Sequence, residues 1–234
     1  MNRFTKTIAA VMLIVAAIIV AGCNKPDEPK NVSGNFNGHD YVDLNLPSGT
    51  LWATCNVGAS IPEGYGDYFA WGETEPKDFY GWSNYKYCKD DWNRLIKYCS
   101  SSIFGYLHFI DDLTVLEDVD DAATAKWGSG WYMPTEAQWE ELLQNTSSTW
   151  TTQNGVNGRL FTGSNGYTLF LPAAGNRWES EMNGIGTFGN CWSSSLFLRS
   201  PNGAKFLVFG EDRSYVFYDA RCKGGSVRAV HPTK

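Results

Sequence analysis

The sequence predicts an α+β fold, in which two helices precede a run of short antiparallel strands. Three observations carry that expectation. Two helix starts with capping residues lie close together between residues 120 and 143. After Trp150 the chain is punctuated by Asn-Gly pairs at 154–155, 157–158, 165–166, 183–184 and 202–203, which suit tight turns between strands. Nowhere do strand and helix patterns alternate as βαβ units would require.

Arg3 and Lys6 precede the apolar or small residues 8–22, and Val20-Ala21-Gly22 leads directly to Cys23. A charged head, a short apolar stretch and small residues before a cut are the layout of a secretory signal. A cysteine at the first mature position reads as a bacterial lipobox, its thiol carrying a diacylglycerol. The apolar run is shorter than the about 20 residues that a membrane span needs. Residues 1–22 are therefore expected to be a signal peptide and Cys23 the lipidated first residue. The expected location is the outer membrane or cell surface, with the membrane met only through this lipid anchor. Residues 23–38, polar and carrying Pro26, Pro29 and Gly34, read as a flexible tether with a reach on the order of 20 Å. Residues 39–234 read as a single domain.

Within that domain, 41–46 alternates apolar and polar residues like a half-buried strand and ends at the turn Pro47-Ser48-Gly49. Residues 51–55 follow as a second strand, and 58–87 is loop-like. A helix starts on the acids Asp120-Asp121 and stops at Gly128. The clearer helix opens at Thr135, where Gln138 completes a capping box and Trp139, Leu142 and Leu143 share one face. Residues 159–162 and 167–171 flank Gly163-Ser164-Asn165-Gly166 as a hairpin. Near the end, 204–209, 215–219 and 226–230 read as three antiparallel strands.

Removing residues 1–22 takes away two of the 19 basic residues, leaving 17 against 25 acidic ones and a formal charge of −8. That balance excludes nucleic acid, which needs a clustered cationic face. Apolar residues make up 43% of the chain, enough for a real core, and ten Trp residues suggest that some rings line a binding surface. Five cysteines remain besides Cys23: Cys55, Cys88, Cys99, Cys191 and Cys222. Five is odd, so at least one stays free or pairs between chains. His39, His108 and His231 form no HxxH or HxxxH pair, so neither a metal site nor any other cofactor is expected.

Seven phrases stand in order along the chain: YVDLNLPSGTLWATCNVGA, YGDYFAWGETEPK, GWYMPTEAQWEELLQN, TTQNGVNG, LFLPAAGNR, CWSSS and GGSVRAV. From about His39 to Val230 this succession resembles the major paralogous domain first described in Fibrobacter, the FISUMP family of surface lipoproteins in Bacteroides-like bacteria. The resemblance implies a C-type-lectin-like fold, two helices packed on a small twisted sheet with long loops. That fold is shared with formylglycine-generating enzymes and with the variable proteins of diversity-generating retroelements, and the strand 226–230 would lie in its central sheet. It further implies disulfides Cys88–Cys99 and Cys191–Cys222, with Cys55 the free, buried thiol.

Chemistry is weakly marked. Only Cys222 lies where the oxidases of that fold keep two reactive cysteines. Ser193-Ser194-Ser195 lacks the GxSxG frame of a nucleophile and reads as a turn out of a strand. Acidic pairs such as Glu73 and Glu75 have the chemistry to act on a glycoside, but the sequence does not set their separation in space and so does not support that role. The acidic run 117–121 reads as a helix start and not a calcium loop. No catalytic residue is therefore expected. A recognition surface is better marked, because Trp, Tyr and Arg concentrate binding energy while polar neighbours orient it. Its candidates are Asn176, Arg177, Trp178, Trp192, Arg199, Asn202, Glu211, Asp212, Arg213, Tyr215, Tyr218 and Arg221. The expected function is non-catalytic binding of an extracellular glycan or protein; a glycan-active enzyme or a structural part of a surface assembly, such as a fimbrial tip, are the alternatives.

Overall fold

The computed structural model describes residues 31–232, so the signal peptide 1–22, Cys23 and residues 24–30 of the tether lie outside the described residues. The first strands are β1 (Gly34–Phe36), β2 (His39–Asp43) and β3 (Leu51–Asn56). A long irregular stretch follows, broken only by single 3-10 turns at Trp82–Asn84, Tyr106–His108 and Asp118–Asp120. The helices α1 (Ala122–Trp127) and α2 (Glu136–Asn145) come next. Then come β4 (Ser147–Gln153), β5 (Val156–Thr162), β6 (Thr168–Pro172), β7 (Asn176–Trp178) and β8 (Glu181–Asn183). The chain closes with β9 (Phe188–Leu196), β10 (Gly203–Gly210), β11 (Ser214–Ala220) and β12 (Arg228–His231).

Both helices form for the reasons legible in the chain. Asp121 caps α1 by accepting from the amides of Ala123 and Thr124, and Gly128 ends it at φ 89°. Thr135 and Gln138 form the reciprocal capping box of α2, which buries Trp139 and Leu142. The helices are nevertheless short, and the α+β, C-type-lectin-like expectation is overturned. The fold is mostly β, at 40% strand against 12% helix. Its strands form four small antiparallel sheets, ordered β1-β2-β3-β12, β11-β10-β9, β4-β5-β6 and β7-β8, not one sheet backed by two helices. The balance shifts because Thr-rich β4 forms where no strand is expected, and because β9 runs for nine residues through the serines expected to end it.

Other boundaries move for similar reasons. β1 falls inside the segment read as tether, because Gly34, Asn35 and Phe36 pair with Tyr41, Asp40 and His39. The hairpin β5–β6 forms as expected around Gly163–Gly166. β12 does not join β10 and β11 but crosses to β3, placing Arg228 opposite Asn56 and Val230 opposite Trp52. Ser193-Ser194-Ser195 is no turn: the three serines sit within β9.

Period-2 alternation explains how few strands serve two cores. Ala53 of β3, Trp192 of β9, Phe206 of β10 and Ala229 of β12 face a large aromatic cluster with Trp71, Tyr80, Tyr85, Tyr98 and Trp131. Their neighbours Trp52, Cys191, Leu207 and Val230 face a second cluster with Trp139, Leu142 and Phe161. Where they pass between the clusters, these four strands are a partition wall, buried on both faces.

That wall also settles the cysteines. All five described thiols are free, so the two expected disulfides do not form in the structure. Cys191 belongs to the second cluster and Cys222 to the first. The thiols of Cys88 and Cys99 are instead turned onto carbonyls, Cys88 Sγ 3.1 Å from Trp82 O and Cys99 Sγ 3.1 Å from Ser101 O. Cys55, expected buried, is the one described cysteine that is not.

Three buried charges hold distant segments together: Asp120 within the irregular stretch, Arg221 between that stretch and the end of β11, and Arg228 between β12 and β3. The Asp120 carboxylate accepts from the Tyr87 hydroxyl, from Tyr98 Oη at 2.8 Å, from Lys97 Nζ at 2.6 Å and from Lys86 Nζ at 3.3 Å. Arg221 and Arg228, both fully buried, have no carboxylate partner among the described residues and donate to carbonyls and one side-chain amide, leaving Arg221 Nε and Arg228 Nη2 without a partner.

Candidate functional site

β10 and β11 run antiparallel, with Lys205 opposite Tyr218, Phe206 opposite Phe217 and Val208 opposite Tyr215. β11 is the outer strand of its sheet. Val216 on one of its faces packs towards α2, while Tyr215, Phe217 and Tyr218 are 37%, 48% and 41% exposed. Phe217 meets Phe206 and Tyr215 edge-on, so a continuous aromatic strip runs along the strand.

Beside it lies an open cleft of about 360 Å³, walled by Val115, Ser195, Phe197, Leu198, Lys205 and the start of α2 at Glu136. Tyr218 stacks on the wall residue Phe197 with ring centres 3.8 Å apart and planes at 14°. Lys205 Nζ stands 5.2 Å from the Phe197 ring and 2.5 Å from Glu136 Oε1. Glu136 is fixed in turn, because its amide, an orphan donor in the first turn of α2, is taken by Ser195 Oγ at 3.0 Å. The cleft thus joins a ring stack, exposed aliphatic surface at Leu198 and a half-buried ion pair. Arg199 also lines it, exposed and without an ion-pair partner among the described residues. Such a surface binds by stacking and hydrogen bonding.

The other sequence candidates divide into three groups. Glu211, Asp212 and Arg213 are exposed in the β10–β11 turn and, with Tyr215, line a second hollow of about 330 Å³; the Arg213 guanidinium lies 5.0 Å from the Tyr215 ring. Asn202 shapes the turn before β10, taking Ser200 Oγ on its side chain and the Arg221 amide on its carbonyl. Asn176, Arg177 and Trp178 form β7, half-buried, with the Arg177 guanidinium over Tyr80 and Lys223 Nζ over Trp178. β7 is therefore not continuous with the aromatic strip in sequence or in sheet.

Two candidates are corrected outright. Trp192 is 2% exposed, and its indole N–H is used up on Phe69 O at 2.8 Å. Arg221 is 0% exposed, donating to Tyr98 O at 2.8 Å and Lys97 O at 2.7 Å while stacking near Trp71 and Tyr85. Neither can meet a ligand. The sequence reading missed Phe197, Lys205, Phe217 and Glu136. Two signals were present: Phe217 repeats the alternation begun at Tyr215, and the apolar pair Phe197-Leu198 stands directly before a polar turn.

The acids are engaged internally. Glu73 is buried and holds Lys77 Nζ and the Lys86 amide, while Glu75 pairs with Lys126 Nζ at 2.6 Å. Among the described residues no three His, Cys, Asp or Glu are placed to hold a metal ion, and no helix is long and apolar enough to cross a membrane. No family model, no curated protein and no solved structure matches the chain.

Proposed function

We propose that the chain is a lipid-anchored member of the FISUMP family that binds an extracellular glycan or protein without chemical turnover, through the cleft and the aromatic strip of β11. The observation that carries this reading is the Phe197–Tyr218 stack beside the Lys205–Glu136 pair and the unpaired Arg199. Flat rings offer a face to a sugar ring or an apolar side chain, and the neighbouring charges orient polar groups.

An array of glycans and host proteins probed with the full chain tests it. Tyr218→Ala and Arg199→Ala are each expected to weaken binding about tenfold, the loss of one stacking or charged contact worth about 1.4 kcal/mol. Chelator should leave binding unchanged. Turnover of any array glycan, or binding indifferent to both substitutions, overturns the proposal.

One observation favours the surface-assembly reading as second choice. From Ser214 to Tyr218 the outer strand carries no Lys, Pro or bulge, the usual devices that stop an edge from pairing with another strand. An oligomer that grows with concentration in sedimentation, and that Val216→Pro abolishes, would establish it.

A further inference from the structure

Cys55 and His39 occupy one cavity. Tyr41 faces Ala53 across β2–β3, and the register carried two residues further sets His39 opposite Cys55. The strands are still together there, since Thr54 Oγ1 donates to Asp40 O at 3.3 Å. Directly opposed residues hold their Cβ atoms about 5 Å apart, within reach of a thiol and an imidazole. Both side chains line a hollow of about 290 Å³ together with Asp40, Ser60 and Trp127. His39 is fixed by stacking on Trp127, ring centres 3.9 Å apart and planes at 14°. Thr54 Oγ1 lies 3.6 Å from Cys55 Sγ and, with its own proton given to Asp40 O, accepts from the thiol.

The remaining described thiols are closed off. Cys88, Cys99, Cys191 and Cys222 are buried, and burial raises all four above the ordinary thiol range, the last two to about 12. Burial lowers His39, opposed more weakly by Asp40, so its imidazole is neutral near neutral pH and free to accept a proton. The other titratable group near it is His231, which packs like His39 against Trp131.

We propose that Cys55 is a nucleophilic thiol that exchanges with a low-molecular-weight disulfide entering the hollow, with His39 as its base. His39 takes the thiol proton and the thiolate attacks one sulfur of the disulfide. The S–S bond breaks, a Cys55 mixed disulfide forms, and the second sulfur leaves as a thiolate that recovers the proton from imidazolium. A location outside the cytoplasm would supply such disulfides, but the chemistry is testable without it.

The probe is the aromatic disulfide 5,5′-dithiobis(2-nitrobenzoate), used on the folded full chain in detergent with Cys23→Ser as background. One thiol is expected to react, mapping to Cys55 by peptide mass and lost in Cys55→Ser. His39→Gln should slow that reaction about tenfold at an unchanged unfolding temperature. A native chain in which no thiol reacts, in which another reacts first, or in which His39→Gln reacts at the parent rate overturns the proposal.

Discussion

Asp120→Ala is expected to destabilise the fold by about 3–5 kcal/mol, measured by urea unfolding, as when one partner of a buried charge network is removed. The side chain is 4% exposed, and its loss strands the Tyr87 and Tyr98 hydroxyls and leaves Lys97 with Glu117 alone. Asp120→Asn keeps the shape and removes the charge, so about half the effect should remain. Burial by itself would raise the Asp120 carboxyl, but the bonds from Lys97, Tyr87, Tyr98 and Lys86 outweigh it and hold the group below its usual range. A depressed acid contributes stability above its unfolded value, and that contribution disappears as pH falls through the folded one. The stability gap between wild type and Asp120→Asn should therefore stay constant from about pH 7 to about pH 5 and narrow below that, as pH falls past the unfolded value of about 3.9 towards the lower folded one. A gap of constant size would show that the charge itself contributes nothing.

Arg228→Ala is the second large effect, again about 3–5 kcal/mol. Its guanidinium bridges β12 to β3 by donating to Asn56 Oδ1 at 2.9 Å, Ala53 O at 3.0 Å and Thr54 O at 2.7 Å. Burial pulls its pKa down to about 10, which still leaves it charged at neutral pH. Arg228→Met refills most of the volume but supplies no donor, so its expected cost of about 1–3 kcal/mol isolates the unsatisfied acceptors from the cavity. A methionine variant as stable as the parent would mean that desolvation of the buried cation cancels its hydrogen bonds.

Capping and hairpin signals in the chain were reliable, although Asn157-Gly158, which suits a turn, lies inside β5. The caps of α1 and α2 and the β5–β6 hairpin are each written within a few consecutive residues, and each forms. The errors arose where the deciding partner is far away in sequence. Arg221 looks like a recognition arginine until the carbonyls of Lys97 and Tyr98, more than 120 positions earlier, come to surround it. Ser193-Ser194-Ser195 has turn chemistry, yet small side chains are what β9 needs where Trp71 Nε1 reaches Ser193 O at 2.8 Å. The partner of β12 was illegible for the same reason, since strand pairing over 170 positions leaves no local mark. The site was half legible: Arg199, Arg213, Tyr215 and Tyr218 are outward-facing as read, whereas Lys205 and Glu136 become neighbours only once α2 lies across β10 and β11.

The pairing of β12 with β3, beside β1 and β2, brings the two ends of the described chain to one place, where the rings of Phe36 and His231 stack 4.0 Å apart. A growing polypeptide cannot complete this seam until β12 has emerged, about 170 positions after the β3 strand it pairs with. A circularly permuted version, with a short glycine linker from Pro232 back to Asn31 and new ends opened in the exposed Asn154-Gly155 turn, should consequently assemble the same architecture.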